Sequence, residues 1–237
     1  MKTVLITGAA RRGGAAIARR IHARGFRVIL HCRASSLTDA EHLAAELNAL
    51  RAHSALVWSQ ELNDRIPVPP ELGSICGIVA SASSYSDSSL DSFAQHIDAD
   101  MQTHVLGHLR LIQLCRQALI SNQGSVVAIT DIHVQRASRG YLSYQIAKGA
   151  LASAVRALAI ELAPHVRVNA VAPGPFEWPA SKSISEQRQA QILQSTPLGR
   201  IGNFDELAAA VEFLLLDATY TTGSTLNVDG GRASFLE

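Results

Sequence analysis

The sequence predicts an α/β fold in which a parallel sheet carries helices on both faces. Three observations carry that expectation. Seven short apolar, β-rich runs alternate with longer stretches of helical periodicity along 237 residues, and strands separated by helices assemble into parallel sheets. A glycine-rich turn, Gly8 to Gly14, follows the first run at once and opens a helix. Apolar residues make up 47% of the chain and charged residues 17%, the balance of a globular chain whose length fits a single domain over 1–237.

Composition also excludes. A formal net charge of +1 gives no reason to expect a nucleic acid or a membrane surface as partner. Cys32, Cys76 and Cys115 are odd in number and form no CxxC, so they read as reduced thiols of a cytoplasmic protein. The apolar run after Met1 is too short for a signal peptide, and no stretch approaches a membrane span. Internal repeats and low-complexity tracts are absent from the sequence.

Lys2 to Thr7 is the first strand, closed by Gly8. The turn Gly8-Ala9-Ala10-Arg11-Arg12-Gly13-Gly14 leads into a helix with Ala15, Ile17, Ala18 and Ile21 on its apolar face. Strand, glycine turn and helix start in that order make a Rossmann-type dinucleotide cradle, with amides aimed where a pyrophosphate would lie. Phe26 to Cys32 is the second strand. An NAD site would place an acid at its end, but Cys32 stands there, followed by Arg33-Ala34-Ser35-Ser36. With Arg11 and Arg12 in the turn, this end offers guanidinium and hydroxyl donors to a 2′-phosphate and no carboxylate to repel it, so NADPH is the expected cofactor.

Leu37 to Arg51 is an amphipathic helix on Leu43, Leu47 and Leu50, and Ser54 to Ser59 is the third strand. Its end, Gln60-Glu61-Leu62-Asn63-Asp64, would face adenine. Pro67, Pro69 and Pro70 make the next stretch loop or a helix entrance. Ile75 to Ala80 is the fourth strand, with Ser81-Ala82-Ser83-Ser84-Tyr85 at its carboxyl end, where open α/β sheets bind ligands. Leu90 to Ile120 is predicted as one helix through Ile97, Met101, Val105, Leu109, Ile112 and Cys115. His104 and His108 stand four apart on it, but the pattern offers no third ligand, so no metal is expected.

Ser125 to Thr130 is the fifth strand, with Asp131 at its end, and Arg167 to Ala172 the sixth. The loop Pro173-Gly174-Pro175-Phe176-Glu177-Trp178-Pro179 and the polar helix Ser185 to Gln194 are expected to form a lid over about 175–200. A helix from Asp205 to Leu216 and a last strand, Thr225 to Val228, complete the alternation before Asp229-Gly230-Gly231.

Between the fifth and sixth strands runs a small-residue helix, 143 to 163, that carries the chemistry. Tyr144 and Lys148 are four apart and share a face. The chain has only Lys2, Lys148 and Lys182 as lysines, which marks this one. An ammonium one turn from a phenol favours its anion, so the pair is an acid/base device.

The order of these motifs resembles the short-chain dehydrogenase/reductase family over essentially the whole chain. The matching positions are Thr7, Gly8 and Gly14, then Ser81, then His104, Asp131, Tyr144 and Lys148, then Pro173 and Gly174. Arg12 replaces the turn's middle glycine, Asp131 the serine thirteen residues before the tyrosine, and His104 the tetrad's asparagine. Ser81 and Glu61 stand where Asn and Asp are usual. Arginine in the turn and aspartate at the strand end are similar to the pteridine reductases, a branch that includes dihydromonapterin reductases. Thr130-Asp131-Ile132-His133 and Gly230-Gly231-Arg232 add to that similarity.

The resemblance implies Asp131, Tyr144 and Lys148 as catalytic residues. It implies NADPH contacts from Gly8, Arg11, Arg12, Gly14, Arg33, Ser35, Glu61, Leu62, Ser81, Ala82, Ser83, Tyr144, Lys148, Pro173 and Gly174, with Lys148 on the nicotinamide ribose. The substrate, a pterin or folate-like ring, would meet Ser83, Tyr85, Asp131, Tyr144, Phe176 and Trp178, with Tyr85 stacking on it and the last two closing the pocket. A homotetramer is implied too, with helices 90 to 120 and 143 to 163 at one interface.

A carboxylate near Tyr144 opposes the lysine and keeps the phenol protonated, which suits donation to a ring nitrogen. Two other readings compete: a carbonyl reductase acting on a ketone, and a module that senses NADPH without chemistry.

Overall fold

Val, Ile, Leu and Ala dominate the inner strand runs so fully that neither face of a sheet built from them can meet water. The computed structural model describes residues 1–63, 65–85, 87–178 and 184–234. In it β1 (Thr3–Ile6), β2 (Arg27–Cys32), β3 (Ala55–Ser59), β4 (Ile75–Ala80), β5 (Ser125–Ile129), β6 (Arg167–Pro173) and β7 (Thr225–Val228) form one sheet in the order β3-β2-β1-β4-β5-β6-β7. Every pairing is parallel.

Alternate residues of each strand serve opposite cores. Val4, Ile6, Val28 and Leu30 pack under α1 (Arg12–Ala23), α2 (Leu37–Leu50) and α7 (Phe204–Glu212). Leu5, Ile29, Ile78 and Val126 pack under α4 (Gly107–Ser121) and α5 (Leu142–Glu161). Two further helices, α3 (Phe93–Met101) and α6 (Glu186–Gln194), complete the set, and α6 has no buried residue. No helix among the described residues is long and apolar enough to cross a membrane.

The order reverses at β1, whose two neighbours are β2 and β4, and ligands of such sheets bind in the crevice at that switch. The crevice is stitched at its floor. Thr7 Oγ1, just past β1, accepts the backbone N–H groups of Ser81 and Ala82 at 2.8 and 2.9 Å.

Two expected helices each carry a π turn. The helix expected from Leu90 to Ile120 begins at Phe93 and runs on to Ser121, with a π turn, Gln102–Leu106, between α3 and α4. The turn ends in close quarters, where a Cβ on Gly107 would lie 2.6 Å from the Leu62 carbonyl oxygen. One wider turn lets the helix pass β3's exit while His104 and His108 both turn inward, 0% and 1% exposed. The helix expected from Asp205 to Leu216 ends at Glu212 and continues as a second π turn, Phe213–Asp217. Its start is a capping box between Asn203 and Glu206, a reciprocal pair that satisfies two orphan amides.

Candidate active site

Glycine makes the cradle possible by leaving room. A Cβ on Gly14 would sit 2.1 Å from the Gly8 carbonyl, and one on Gly8 would sit 2.9 Å from Ala82 Cα. The start of α1 has no side-chain cap and no acid in its first turn, so its leading amides keep both their hydrogen-bonding capacity and the positive end of the helix dipole. That is the donor set a pyrophosphate needs.

From there a cleft of about 530 Å³ runs along the ends of β2 and β3, lined by Gly8, Arg11, Arg33, Ser35, Glu61, Leu62, Ala82 and Ser83 among others. The expected freedom from carboxylates is corrected here. Arg11 pairs with Asp39, and Arg33 lies 3.4 Å from Glu61. Exposed arginines recruit whatever acids lie in reach, so a 2′-phosphate would compete with Glu61 for Arg33 rather than meet bare donors.

At the other end α5 brings Tyr144 and Lys148 beneath Asp131. Tyr144 is 4% exposed, and its hydroxyl donates to Asp131 Oδ2 at 2.6 Å. The other carboxylate oxygen accepts the His133 backbone N–H at 2.8 Å, so one side chain caps the turn after β5 and holds the phenol. Burial, then the Asp131 charge and hydrogen bond, push the Tyr144 hydroxyl well above its usual range. The largest cause is therefore desolvation, not the carboxylate that the sequence singled out. Lys148, 2% exposed, donates to the Ile129 carbonyl at 2.7 Å and stands 5.7 Å from the Tyr144 ring centre. Burial brings its ammonium down to about 8, against the upward pull of Asp131.

Tyr85, half out in solvent at 48%, meets the Tyr144 ring edge-on at 4.7 Å and the Tyr141 ring at 4.4 Å. Burial raises its hydroxyl pKa as well, ahead of the Tyr141 and Asp131 contributions. Ser81, Ala82 and Ser83 lead to it from the end of β4. Pro173 ends β6, and Gly174 N donates to the Val228 carbonyl.

Two readings of side-chain direction are corrected. Arg12 does not join Arg11 at the ribose end: its guanidinium donates to the Glu177 carbonyl at 2.7 Å and lies over the Phe204 ring at 4.9 Å. The backbone at Arg12 is left-handed, φ 50°, a conformation costly for any side chain but glycine. Phe176 is spent on the loop's own footing, stacked on Phe204 at 6.1 Å and bridged to Gly202. Trp178 is half-buried. Pro179 and Lys182, with the middle of the expected lid, and Asp64 lie outside the described residues.

Sequence reasoning missed a second layer. His31 accepts the Gly8 N–H at Nδ1 and reaches the Gln60 carbonyl from Nε2. His108 contacts the His104 carbonyl through Nδ1 and Thr7 Oγ1 through Nε2. Both are neutral, burial taking each to about 4. Asp100, 2% exposed, accepts from Ser143 at 2.6 Å. Periodicity held one signal for it: Ile97, Asp100 and His104 fall on one helical face, so the acid sits in an apolar stripe. Among the described residues no cluster could hold a metal ion.

Comparison with known proteins is consistent with this geometry. A family model described as Enoyl-(Acyl carrier protein) reductase matches residues 8–233. A Bacillus subtilis protein named uncharacterized oxidoreductase YmfI is 32% identical over 97% of this chain and 98% of its own length. The 3-oxoacyl-[acyl-carrier-protein] reductase FabG of Aggregatibacter actinomycetemcomitans is 30% identical over the same shares. Among solved structures, FolM Alternative dihydrofolate reductase 1 from Brucella canis, complexed with NADP, is 31% identical at a TM-score of 0.89, over 100% of this chain and 96% of that one.

Proposed function

This chain belongs to the short-chain dehydrogenase/reductase family, and from that footing we propose that it uses NADPH to reduce a C=N bond of a pterin or dihydrofolate-type ring. The observation that carries the reading is the 2.6 Å hydrogen bond between Tyr144 and Asp131. A hydroxyl in that place could only orient the phenol, whereas a carboxyl group can also resupply its proton.

Reduction of C=N adds hydride to carbon and a proton to nitrogen. Bound NADPH supplies the hydride. Tyr144 Oη, kept protonated by burial and by Asp131, gives its proton to the ring nitrogen. Asp131, partly open to water, takes a proton from solvent and returns it to the phenol oxygen. Lys148, held by the Ile129 carbonyl, steadies the phenolate as it forms and holds the nicotinamide ribose. Tyr85 stacks on the planar substrate, and Ser83 and Trp178 border it. Arg33 and Ser35 select the 2′-phosphate, which fits the cleft's donors, while the amides at the start of α1 take the pyrophosphate. The remaining parts of the proposal are a lid over 175–200 and a cytoplasmic homotetramer built on the helices 90 to 120 and 143 to 163, where Gly149 faces open space and lets a second helix come close.

A second reading, reduction of a ketone, is favoured by the similarity to 3-oxoacyl reductases. The test is NADPH consumption, followed at the nicotinamide absorbance, with a dihydropterin, a dihydrofolate and a β-ketoacyl thioester in parallel. Faster turnover of the dihydropterin or dihydrofolate is expected. Asp131→Ser should leave NADPH binding intact and remove most of that turnover; a variant as fast as the parent would end the relay.

A further inference from the structure

A carboxylate with 2% of its surface exposed is costly to bury unless hydrogen bonds hold it, and Asp100 is spent in an informative place. Ser143, the residue before Tyr144, donates its hydroxyl to Asp100 Oδ2 at 2.6 Å. The same hydroxyl lies 2.8 Å from Ser88 Oγ, which also accepts the Ser143 backbone N–H at 3.0 Å. Backbone bonds from Ser88 N to the Gly140 carbonyl and from Leu142 N to the Ser88 carbonyl close the knot. The first turn of α5 is thereby tied to α3 and to the loop after β4.

Asp100 has a second reach. Its Oδ1 stands 3.8 Å from His104 Nε2, beyond hydrogen-bonding distance. Burial first, and then the nearby Lys148 ammonium, keep that imidazole neutral, so the contact is not an ion pair. The His104 ring in turn meets the Tyr144 ring edge-on, 5.1 Å between centres at 88°.

We propose that Asp100 is a positioning residue for Tyr144, acting through the bond it accepts from Ser143 on the first turn of α5, with the His104 ring packed between Asp100 and the phenol. It leaves the Tyr144–Asp131 bond only one orientation to take. The anionic charge faces the N-terminal end of α5, where the helix dipole favours it, and it is among the charges that hold the phenol proton on. The proposal rests on the reading that Tyr144 donates a proton in the reaction.

The experiment compares Asp100→Ala, Asp100→Asn and Ser143→Ala as NADPH-loaded protein, with turnover expressed per NADPH-binding site so that misfolded material does not count. Loss of one reacting group's alignment costs on the order of 10- to 100-fold in kcat. Both alanine variants should show it at unchanged NADPH affinity, and Asp100→Asn, which keeps the acceptor for Ser143, should recover most of it. The double variant should lose no more than the worse single one, because both act through one bond. Full turnover per site in Asp100→Ala and Ser143→Ala overturns the proposal.

A parent enzyme that reduces none of the substrates offered sinks the functional reading instead. The positioning claim is then read by carbon-13 resonance of the tyrosine Cζ. The chain has four tyrosines, so Tyr144→Phe identifies the signal. Movement of that signal in both alanine variants supports the claim, and a signal unmoved in both overturns it without reference to any substrate.

Discussion

The two ends of the cleft are built from opposite materials. At the ribose end Arg11, Arg33, Asp39 and Glu61 are exposed charges, between 41% and 62% of each side chain open to water. At the Tyr144 end Tyr144, Lys148, His104 and Asp100 are between 0% and 4% exposed and close enough to touch through short bonds or ring contacts. Water screens the first set, so each pair there contributes little and exchanges partners cheaply. Burial magnifies the second set, where each group's protonation depends on its neighbours. In the proposed function one end chooses the cofactor and the other moves a proton.

Removing the phenol hydroxyl should produce the largest effect. Tyr144→Phe is expected to lower kcat by roughly 10²- to 10⁴-fold, the usual worth of a positioned general acid, with NADPH affinity nearly unchanged by fluorescence titration. A loss of only a few-fold would mean that the buried end is packing rather than chemistry.

The next effect is titration of Lys148. The proposed chemistry needs its ammonium charged, and burial brings its pKa down to about 8, so it loses its proton as pH rises through that value. In the free enzyme kcat/KM should therefore fall about tenfold per pH unit above that point. The phenol, raised rather than lowered, adds no limb of its own there. A profile flat to pH 10 would show that the neutral amine suffices.

At the open end Arg33→Ala should reduce the preference for NADPH over NADH about tenfold, the worth of one charge-assisted hydrogen bond, while kcat stays put. An equal loss for both cofactors would place Arg33 away from the 2′-phosphate. Smallest of all, raising salt should weaken NADPH binding a few-fold through screening of exposed charges and leave saturated turnover unaltered. Salt sensitivity of kcat instead would erase the contrast between the two ends.

Much of this is legible in the sequence. The alternation of β-rich and helical runs specified the parallel sheet, because residue period and length are local properties. The glycine turn and the Tyr144–Lys148 spacing were legible for the same reason. Direction was not. Arg11 and Arg12 are neighbours in sequence, yet one turns to Asp39 and the other to the Glu177 carbonyl. Phe176 looked like a pocket wall and packs on Phe204.

By itself the sequence determined strand count, helix faces and the cradle, which follow from spacing along the chain, and it carried the motifs on which the family resemblance rests. Only the tertiary structure decided that Asp131 splits its oxygens between a turn and a phenol, that burial outweighs charge in setting the Tyr144 hydroxyl, and that Asp100 braces the helix carrying it. Those outcomes depend on contacts 13 and 43 residues apart in the chain and on exclusion of water, and neither is written in any short stretch of residues.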